Sequence, residues 1–272
     1  MRGLTDGPAS GKPGGRRGIS DYVSTILLLV AVAASMIYLD IHPGMILTGL
    51  QNLERLGADA FPPQLDLLPV AARALLETLA IALLGTFFGA ILALPLGIAG
   101  ARTLSPRWLF IPTRLVCAGI RTLPNLLWAV FFVVLVGFHP FAGVLAMMMY
   151  TVGHLSKLQY ESLEGLPPEP LEAVRATGAG FLQTARFVVL PEASNHLFSQ
   201  VMYMFEYNVR ASSIVGFVGA GGIGFYIHRY LQMMQYDGVI TLLALVFLLV
   251  LAIDALSLRL RARFIGNLPG RV

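Results

Sequence analysis

The sequence has few charged side chains. Asp, Glu, Lys and Arg make up 12% of its 272 residues, about half of the share of roughly 25% that soluble domains carry. Hydrophobic residues make up 56%, and the mean hydropathy is +0.74. A soluble particle of 29.4 kDa must cover its surface with polar groups, and 19 basic and 15 acidic residues are too few for that. The scarcity excludes a water-soluble protein and predicts an integral membrane protein.

Several chemical signatures are also missing. The single cysteine, Cys117, excludes an internal disulfide and a cysteine-based metal cluster. The sequence contains no GxxxxGK[ST], HExxH or Gly-x-Ser-x-Gly motif, and its histidines have no metal-ligand spacing. The net charge of +4 does not indicate nucleic acid, because the basic residues fall between apolar runs. We therefore expect no catalytic site, no metal, no cofactor on this chain and no nucleic-acid partner.

Long apolar runs dominate what is present. A helix crosses a hydrocarbon core of about 30 Å with roughly 20 apolar residues. The runs predict an all-α fold of about six transmembrane helices, within a membrane domain over residues 21–272. The predicted spans are 22–39, 75–98, 123–138, 141–158, 197–217 and 239–258. Residues 1–20 hold six Gly and two Pro and are expected to form a disordered tail. The first span also has features of a secretory signal peptide, although its apolar run is longer than usual.

Small residues in the second span predict close helix packing. Gly85, Gly89 and Gly97 follow the small-xxx-small pattern that lets two helix backbones approach. We expect this span to lie in the interior of the bundle.

Three arginines precede the third span at heptad spacing. Arg107, Arg114 and Arg121 share one stripe of a helix and cover about 21 Å along it. That distance is too long for all three to sit at one headgroup level. We therefore expect 107–121 to be a tilted or interfacial helix that breaks near Pro124.

Basic residues set the expected orientation. Six spans place both termini on one side of the membrane, and that side collects most of the Lys and Arg, including the arginine-rich tail after residue 258. By the positive-inside rule, both termini and the polar loop 161–192 are cytoplasmic in a plasma or inner membrane.

The loop 161–192 predicts a compact helical hairpin. Pro167, Pro168 and Pro170 suit a helix start, where a missing N–H costs little. Gly178 can adopt positive φ and end that helix, and a second helix is expected over 181–190. The pattern alone also fits an ordinary linker between two spans.

The spacing in this loop resembles the EAA motif of ABC importer permeases. The matching residues are Glu172, Ala173, Gly178, Leu190 and Pro191. Val174 and Val188 depart from the motif, and both remain apolar. The segments LLETLAIALLGTFFGAILALPLGI, RTLPNLLWAVFFVVLVG and NVRASSIVGFVGAGGIGF look like phosphonate-type permease subunits of the binding-protein-dependent transport superfamily. The similarity runs from about residue 75 to 260.

This resemblance implies a type I ABC importer permease that is not itself an enzyme. The matched residues would form a coupling helix that docks on a separate ATPase subunit, which carries the ATP and Mg. A substrate would arrive from an extracytoplasmic binding protein. A second permease copy is implied, most simply in a homodimer. The implied substrate is an organophosphonate, with phosphate or phosphite as near competitors.

A polar stripe crosses the fifth span. Its members, at steps of 4, 3, 4 and 3, are Ser199, Tyr203, Glu206, Arg210 and Ser213. This spacing places them on one helical face, and charges at membrane depth are costly. Two interpretations are open. Glu206 and Arg210 form a buried pair that holds helices together, or the stripe lines the translocation path, with Arg210, Ser212 and Ser213 as donors to an anion.

Glycines follow the stripe. Gly219, Gly221 and Gly224 have the GxGxxG spacing of a dinucleotide site, but no βαβ unit surrounds them. Together with Gly222 they predict a sharp bend at the outer mouth, near a gate.

An ion- or proton-coupled secondary transporter is the alternative function. Glu206, Arg210 and Asp254 would then be relay groups. That reading predicts symmetry between the two halves, which the sequence does not show, and leaves the EAA spacing unexplained.

Overall fold

The first unit of the chain contains two helices. The computed structural model describes residues 19–265, so the tail predicted over 1–20 lies almost wholly outside them. The first unit ends at Ala58 and the second begins at Asp59. Helix α1 covers Ile19–Tyr38 and α2 covers Pro43–Asp59. Residues 21–38 of α1 are all exposed and mostly apolar, which suits a helix in contact with lipid.

The second unit is built from nine α-helices within the described range. They are α3 (Leu68–Gly100), α4 (Arg107–Thr122), α5 (Asn125–Val136), α6 (Pro140–Glu164), α7 (Pro168–Ala176), α8 (Phe181–Thr184), α9 (Leu190–Val215), α10 (Ile223–Gln232) and α11 (Tyr236–Ile265). Short 3₁₀ turns precede α3 and follow α9, and a π-helical segment of five residues precedes α9. Residues 19–265 contain no strand, and the predicted all-α membrane fold is confirmed.

Membrane crossing is less regular than six straight spans. Helices α1, α3 and α11 are long and apolar enough to cross singly. Helices α4 and α5 form a pair bent by 86°, and the segment containing α9 is bent by 46° from α10, so five crossings result if each pair counts as one. Helix α5, inside the predicted span 123–138, has 12 residues and extends about 18 Å, too short to cross alone. The break falls at Leu123 and Pro124, because the residue before a proline avoids the helical region.

Helix α6 forms the centre of the second unit. It packs against α3, α4, α5 and α9, and 13 of its 25 residues are buried. Its contact with α3 is close: a Cβ atom built on Gly85 would lie 2.4 Å from Met147 Cβ, and one on Gly89 would lie 2.5 Å from Thr151 Cβ. Gly97 makes a similar approach farther along the helix. The predicted glycine-mediated packing of the second span is confirmed.

A buried amide connects three helices at this centre. Asn208 of α9 donates from Nδ2 to Thr86 Oγ1 of α3 at 2.8 Å and to Thr151 Oγ1 of α6 at 2.7 Å. Asn208 and Thr151 are fully buried. Since a buried polar group is costly without partners, these bonds fix the register of the three helices.

Candidate functional site

The segment between α6 and α9 folds as a helical hairpin. Helix α7 begins at Pro168, and Gly178 turns the chain with φ +82°. The Gly180 N–H donates to Gln183 Oε1 at 2.9 Å and so caps the start of α8. The predicted second helix, 181–190, is divided into α8 and the π-helical segment, which runs directly into α9. Pro191 therefore lies in the first turn of α9 instead of before it.

The inner face of the hairpin is anchored by apolar packing. Leu171 of α7 and Val189 of the π-helical segment are buried in one cluster, together with Leu163 at the end of α6 and Leu197 of α9. The cluster also reaches Ala101, just beyond α3. The hairpin is thus attached to the ends of three helices.

The outer face of the hairpin carries the motif residues. Glu172, Ala173, Gly178 and Pro191 are exposed, and Leu190 is partly buried. A surface depression of about 400 Å³ lies beside them, lined by Val174, Thr177, Gly178, Ala179, Gln183 and Phe187. The Phe187 side chain is 69% exposed. Sequence reasoning missed Phe187, because an aromatic residue within an apolar run resembles a core position. We name this outer face, including Phe187, the coupling face.

A charged pair lies where α6 meets the hairpin. Glu164 accepts hydrogen bonds from Arg114 Nη2 and, at 2.7 Å, from the backbone N–H of Arg102. Arg114 also donates from Nε to Gly100 O at 2.8 Å, and its guanidinium lies 4.4 Å from the Tyr160 ring centroid. The pair therefore joins the ends of α3 and α6 to α4, just before the chain enters the hairpin.

The charges of the fifth span face α11. Glu206 of α9 accepts hydrogen bonds from Arg261 Nη2 and from the Ser257 hydroxyl, both on α11. Arg210 Nη2 lies 4.0 Å from Glu206 Oε2 but only 2.8 Å from Asp254 Oδ1. The predicted pair within α9 is thus part of a larger network that links α9 to α11, because α11 presents closer partners.

The other members of the polar stripe lie in different surroundings. The Ser199 and Ser212 hydroxyls donate to backbone carbonyls of their own helix at 2.8 and 2.9 Å. Ser213 is buried, and its Oγ has no hydrogen-bond partner within the described part of the chain. Tyr203 is half-exposed and lines a cavity between α4, α6 and α9. The residues of the stripe therefore have different partners along α9, and their role in lining a translocation path stays a prediction.

Glycines shape the turn from α9 to α10. Gly219, Gly221 and Gly222 have φ values of +84°, +84° and +75°, which side chains rarely adopt. A Cβ atom on Gly224 would lie 1.8 Å from Ser213 O. The spacing of these glycines follows from backbone conformation and close approach, and no βαβ unit occurs within residues 19–265.

These features define an all-helical membrane protein with an exposed helical hairpin between two long helices. Residues 93–266 match the family described as binding-protein-dependent transport system inner membrane component, and the chain belongs to that family. It is a multi-pass transmembrane subunit of an ABC importer.

Known relatives extend this assignment. The chain is 35% identical over 241 residues to the putative phosphite transport system permease protein HtxC of Stutzerimonas stutzeri, covering 88% of this chain and 86% of that one. It is 34% identical to the phosphate-import permease protein PhnE of Mycolicibacterium smegmatis, over 88% of this chain and 45% of that one. A solved structure of the inward-facing MetNI methionine ABC transporter matches with a TM-score of 0.64 and 26% identity, covering 74% of this chain and 98% of that chain.

Proposed function

We propose that this chain passes a small phosphorus oxyanion, a phosphonate, phosphite or phosphate, across the membrane. The observation that carries the proposal is the similarity along 88% of the chain to permeases named for phosphite and phosphate. The anion is delivered by an extracytoplasmic binding protein. The energy comes from a separate ATPase subunit, which holds ATP and Mg, since the sequence has no GxxxxGK[ST] motif.

The coupling face docks on that ATPase subunit. It offers the exposed carboxylate of Glu172 and a depression of about 400 Å³ that is lined by the apolar side chain of Phe187. The apolar cluster beneath it ties the hairpin to α6 and α9, so a displacement of the ATPase moves these helices instead of deforming a loose linker.

One hairpin per chain and two ATPase subunits fit a pair of permease chains. A homodimer is the simplest such assembly, because closed two-fold symmetry is the commonest arrangement of identical subunits. The excess of Lys and Arg on one side supports a cytoplasmic location for both termini and the hairpin, in an arrangement of six spans where α6 crosses in addition to the five candidates.

Gly178→Pro tests the coupling role. Proline fixes φ near −65°, whereas Gly178 has φ +82°. We expect this variant to insert in the membrane but to lose nearly all uptake. Gly180→Ala is the control, because its Cβ would meet only Gln183 Oε1, at 4.0 Å. Normal uptake by a folded Gly178→Pro variant contradicts the proposal.

Substrate and energy source are tested in proteoliposomes that contain the chain, its ATPase and the binding protein. Uptake of labelled phosphite, phosphate and methylphosphonate is measured with and without ATP. We expect ATP-dependent uptake of at least one of them. Uptake driven by a proton gradient without ATPase or ATP favours the secondary transporter instead.

A further inference from the structure

A cavity of about 240 Å³ lies between α4, α6 and α9. Arg121 comes from α4, His154 and Lys157 come from α6, and Tyr203 and Tyr207 come from α9. None of the described residues that line it is acidic. Leu158 and Met204 add apolar surface, so the cavity combines basic, hydroxyl-bearing and apolar side chains from three helices.

Arg121 has no acidic partner in the part of the chain that the structure describes. Its side chain crosses α6 at Gly153, where a Cβ atom would lie 2.9 Å from Arg121 Cγ. Within residues 19–265, no carboxylate lies within 4.0 Å of its guanidinium, whereas Arg114, one heptad earlier, is paired with Glu164. A partly buried guanidinium without a carboxylate nearby is available to an anionic ligand, which would neutralise its charge.

Lys157 adds a second positive charge. Its Nζ lies 3.4 Å from Glu161 Oε1, but Glu161 is exposed and does not line the cavity. Exposed pairs of this kind are weak, so the ammonium group can be shared with a ligand.

Stacked aromatic rings form one wall of the cavity. The Tyr150 ring lies 4.0 Å from the His154 ring and 4.9 Å from the Tyr207 ring, measured between centroids. His154 Nδ1 lies 3.1 Å from Tyr150 O. Because a carbonyl can only accept, Nδ1 carries the proton, and Nε2 of the neutral ring is an acceptor. His154 therefore shapes the wall of the cavity and is not one of the donors to an oxyanion.

The volume of the cavity and the hydrogen-bond donors of Arg121 and Lys157 favour a small oxyanion as the ligand. Pockets for drug-sized ligands measure roughly 300–1,000 Å³, and this cavity is smaller. A guanidinium fork binds two oxygens of a phosphoryl group, while the ammonium acts as a point charge.

We propose that this cavity is an anion-binding transit site within the permease, with Arg121 and Lys157 as the charged ligands of a phosphoryl or phosphonyl group. The identity of the transported anion rests on the proposed function. The site shares only Tyr203 with the stripe predicted along the fifth span, and it lies between α4, α6 and α9, whereas the Glu206 and Arg210 network joins α9 to α11.

Binding is measured on the assembled, nucleotide-free transporter in maltoside. Inorganic phosphate is titrated, and its phosphorus-31 NMR line width is followed. We expect Arg121→Gln to weaken the apparent Kd about tenfold or more, because a bidentate charge-assisted contact is lost. Arg121→Lys should restore part of it, which excludes simple misfolding. Arg107→Gln, at the exposed start of the same helix, should bind as the wild type does. Equal Kd values for Arg121→Gln and Arg107→Gln overturn the site.

A second titration distinguishes free phosphate from a lipid headgroup. If Arg121→Gln weakens binding of phosphatidylglycerol but leaves the Kd of inorganic phosphate unchanged, the cavity holds lipid and the transit site is wrong. We expect the inorganic phosphate to be affected.

Uptake in proteoliposomes separates this inference from the proposed function. If the wild type imports a phosphorus oxyanion, we expect Arg121→Gln to reduce uptake at least about tenfold while the complex still assembles. Unchanged uptake and KM in that variant overturn the site and leave the proposed function standing. If the wild type imports none of these anions, the proposed function fails, and the phosphate titration still decides the site.

Discussion

Substitution of Gly85 by alanine tests the close contact between α3 and α6. The new Cβ would lie 2.4 Å from Met147 Cβ, where carbon atoms normally sit at about 3.5–4.0 Å. Because Met147 Cβ is bonded directly to the backbone, no side-chain rotation removes the clash, and α3 and α6 must separate by on the order of 1 Å. Overpacking lowers the free energy of unfolding by about 1–3 kcal/mol. Because this contact cannot be relieved by a side-chain rotation, we expect a cost at the upper end of that range.

Helix propensity offsets part of this cost. Alanine is about 1 kcal/mol better than glycine inside a helix, so we expect a net loss of about 2 kcal/mol. For a domain of this size that corresponds to a decrease in Tm of roughly 4–8 °C. Gly119→Ala in α4 is the matched control, because no atom lies within 4 Å of its Cβ position.

Thermal unfolding of the detergent-purified protein, followed by tryptophan fluorescence, measures both variants. Gly119→Ala should match or exceed the wild-type Tm, while Gly85→Ala falls below it. The packing argument is refuted if Gly85→Ala is as stable as the wild type, or if the two variants lose stability equally.

Two further predictions concern polar contacts. Glu164 is 14% exposed and Arg114 is 31% exposed, so a double-mutant cycle with alanine at both positions should give a coupling free energy of about 1–2 kcal/mol, above the roughly 0.2–1 kcal/mol that exposed pairs give. Additive effects on the free energy of unfolding would argue against the pair. Asn208→Leu should lower stability by about 1–3 kcal/mol, since two threonine hydroxyls lose a donor. Ser199→Ala removes only a bond within its own helix, and a Tm loss equal to that of Asn208→Leu would count against the role of the amide.

The sequence predicted which residues share one face of a helix, but not which side chains of other helices pack against that face. The spacing of the glycines in α3 predicts a close approach, because that property depends on a single face. The heptad of Arg107, Arg114 and Arg121 also places three side chains on one stripe. Only the fold shows that Arg114 meets Glu164, 50 residues away, while Arg121 faces a cavity.

Apolar runs likewise predicted the positions of helices better than they predicted which helices cross the membrane. The run 123–138 is as hydrophobic as a span, but hydropathy carries no information about the direction of a helix after Pro124, and α5 lies at 86° to α4. Helix α6 contains His154, Lys157 and Gln159, and its central position follows from what packs around it. In the hairpin, the motif residues follow from spacing, whereas the exposure of Phe187 depends on the tertiary fold.

The length of α9 has a mechanical consequence. Its 26 residues form an unbroken rod of about 39 Å, which begins at the hairpin and ends at the glycine turn. Asn208 secures this rod to α3 and α6 near its far end. If the start of α9 at Leu190 is tilted, the helix therefore rotates about Asn208. The part of α9 on the hairpin side of this pivot is long, and the part on the side of the glycine turn is short. A large, weak displacement at the hairpin therefore becomes a small, forceful one at the glycine turn.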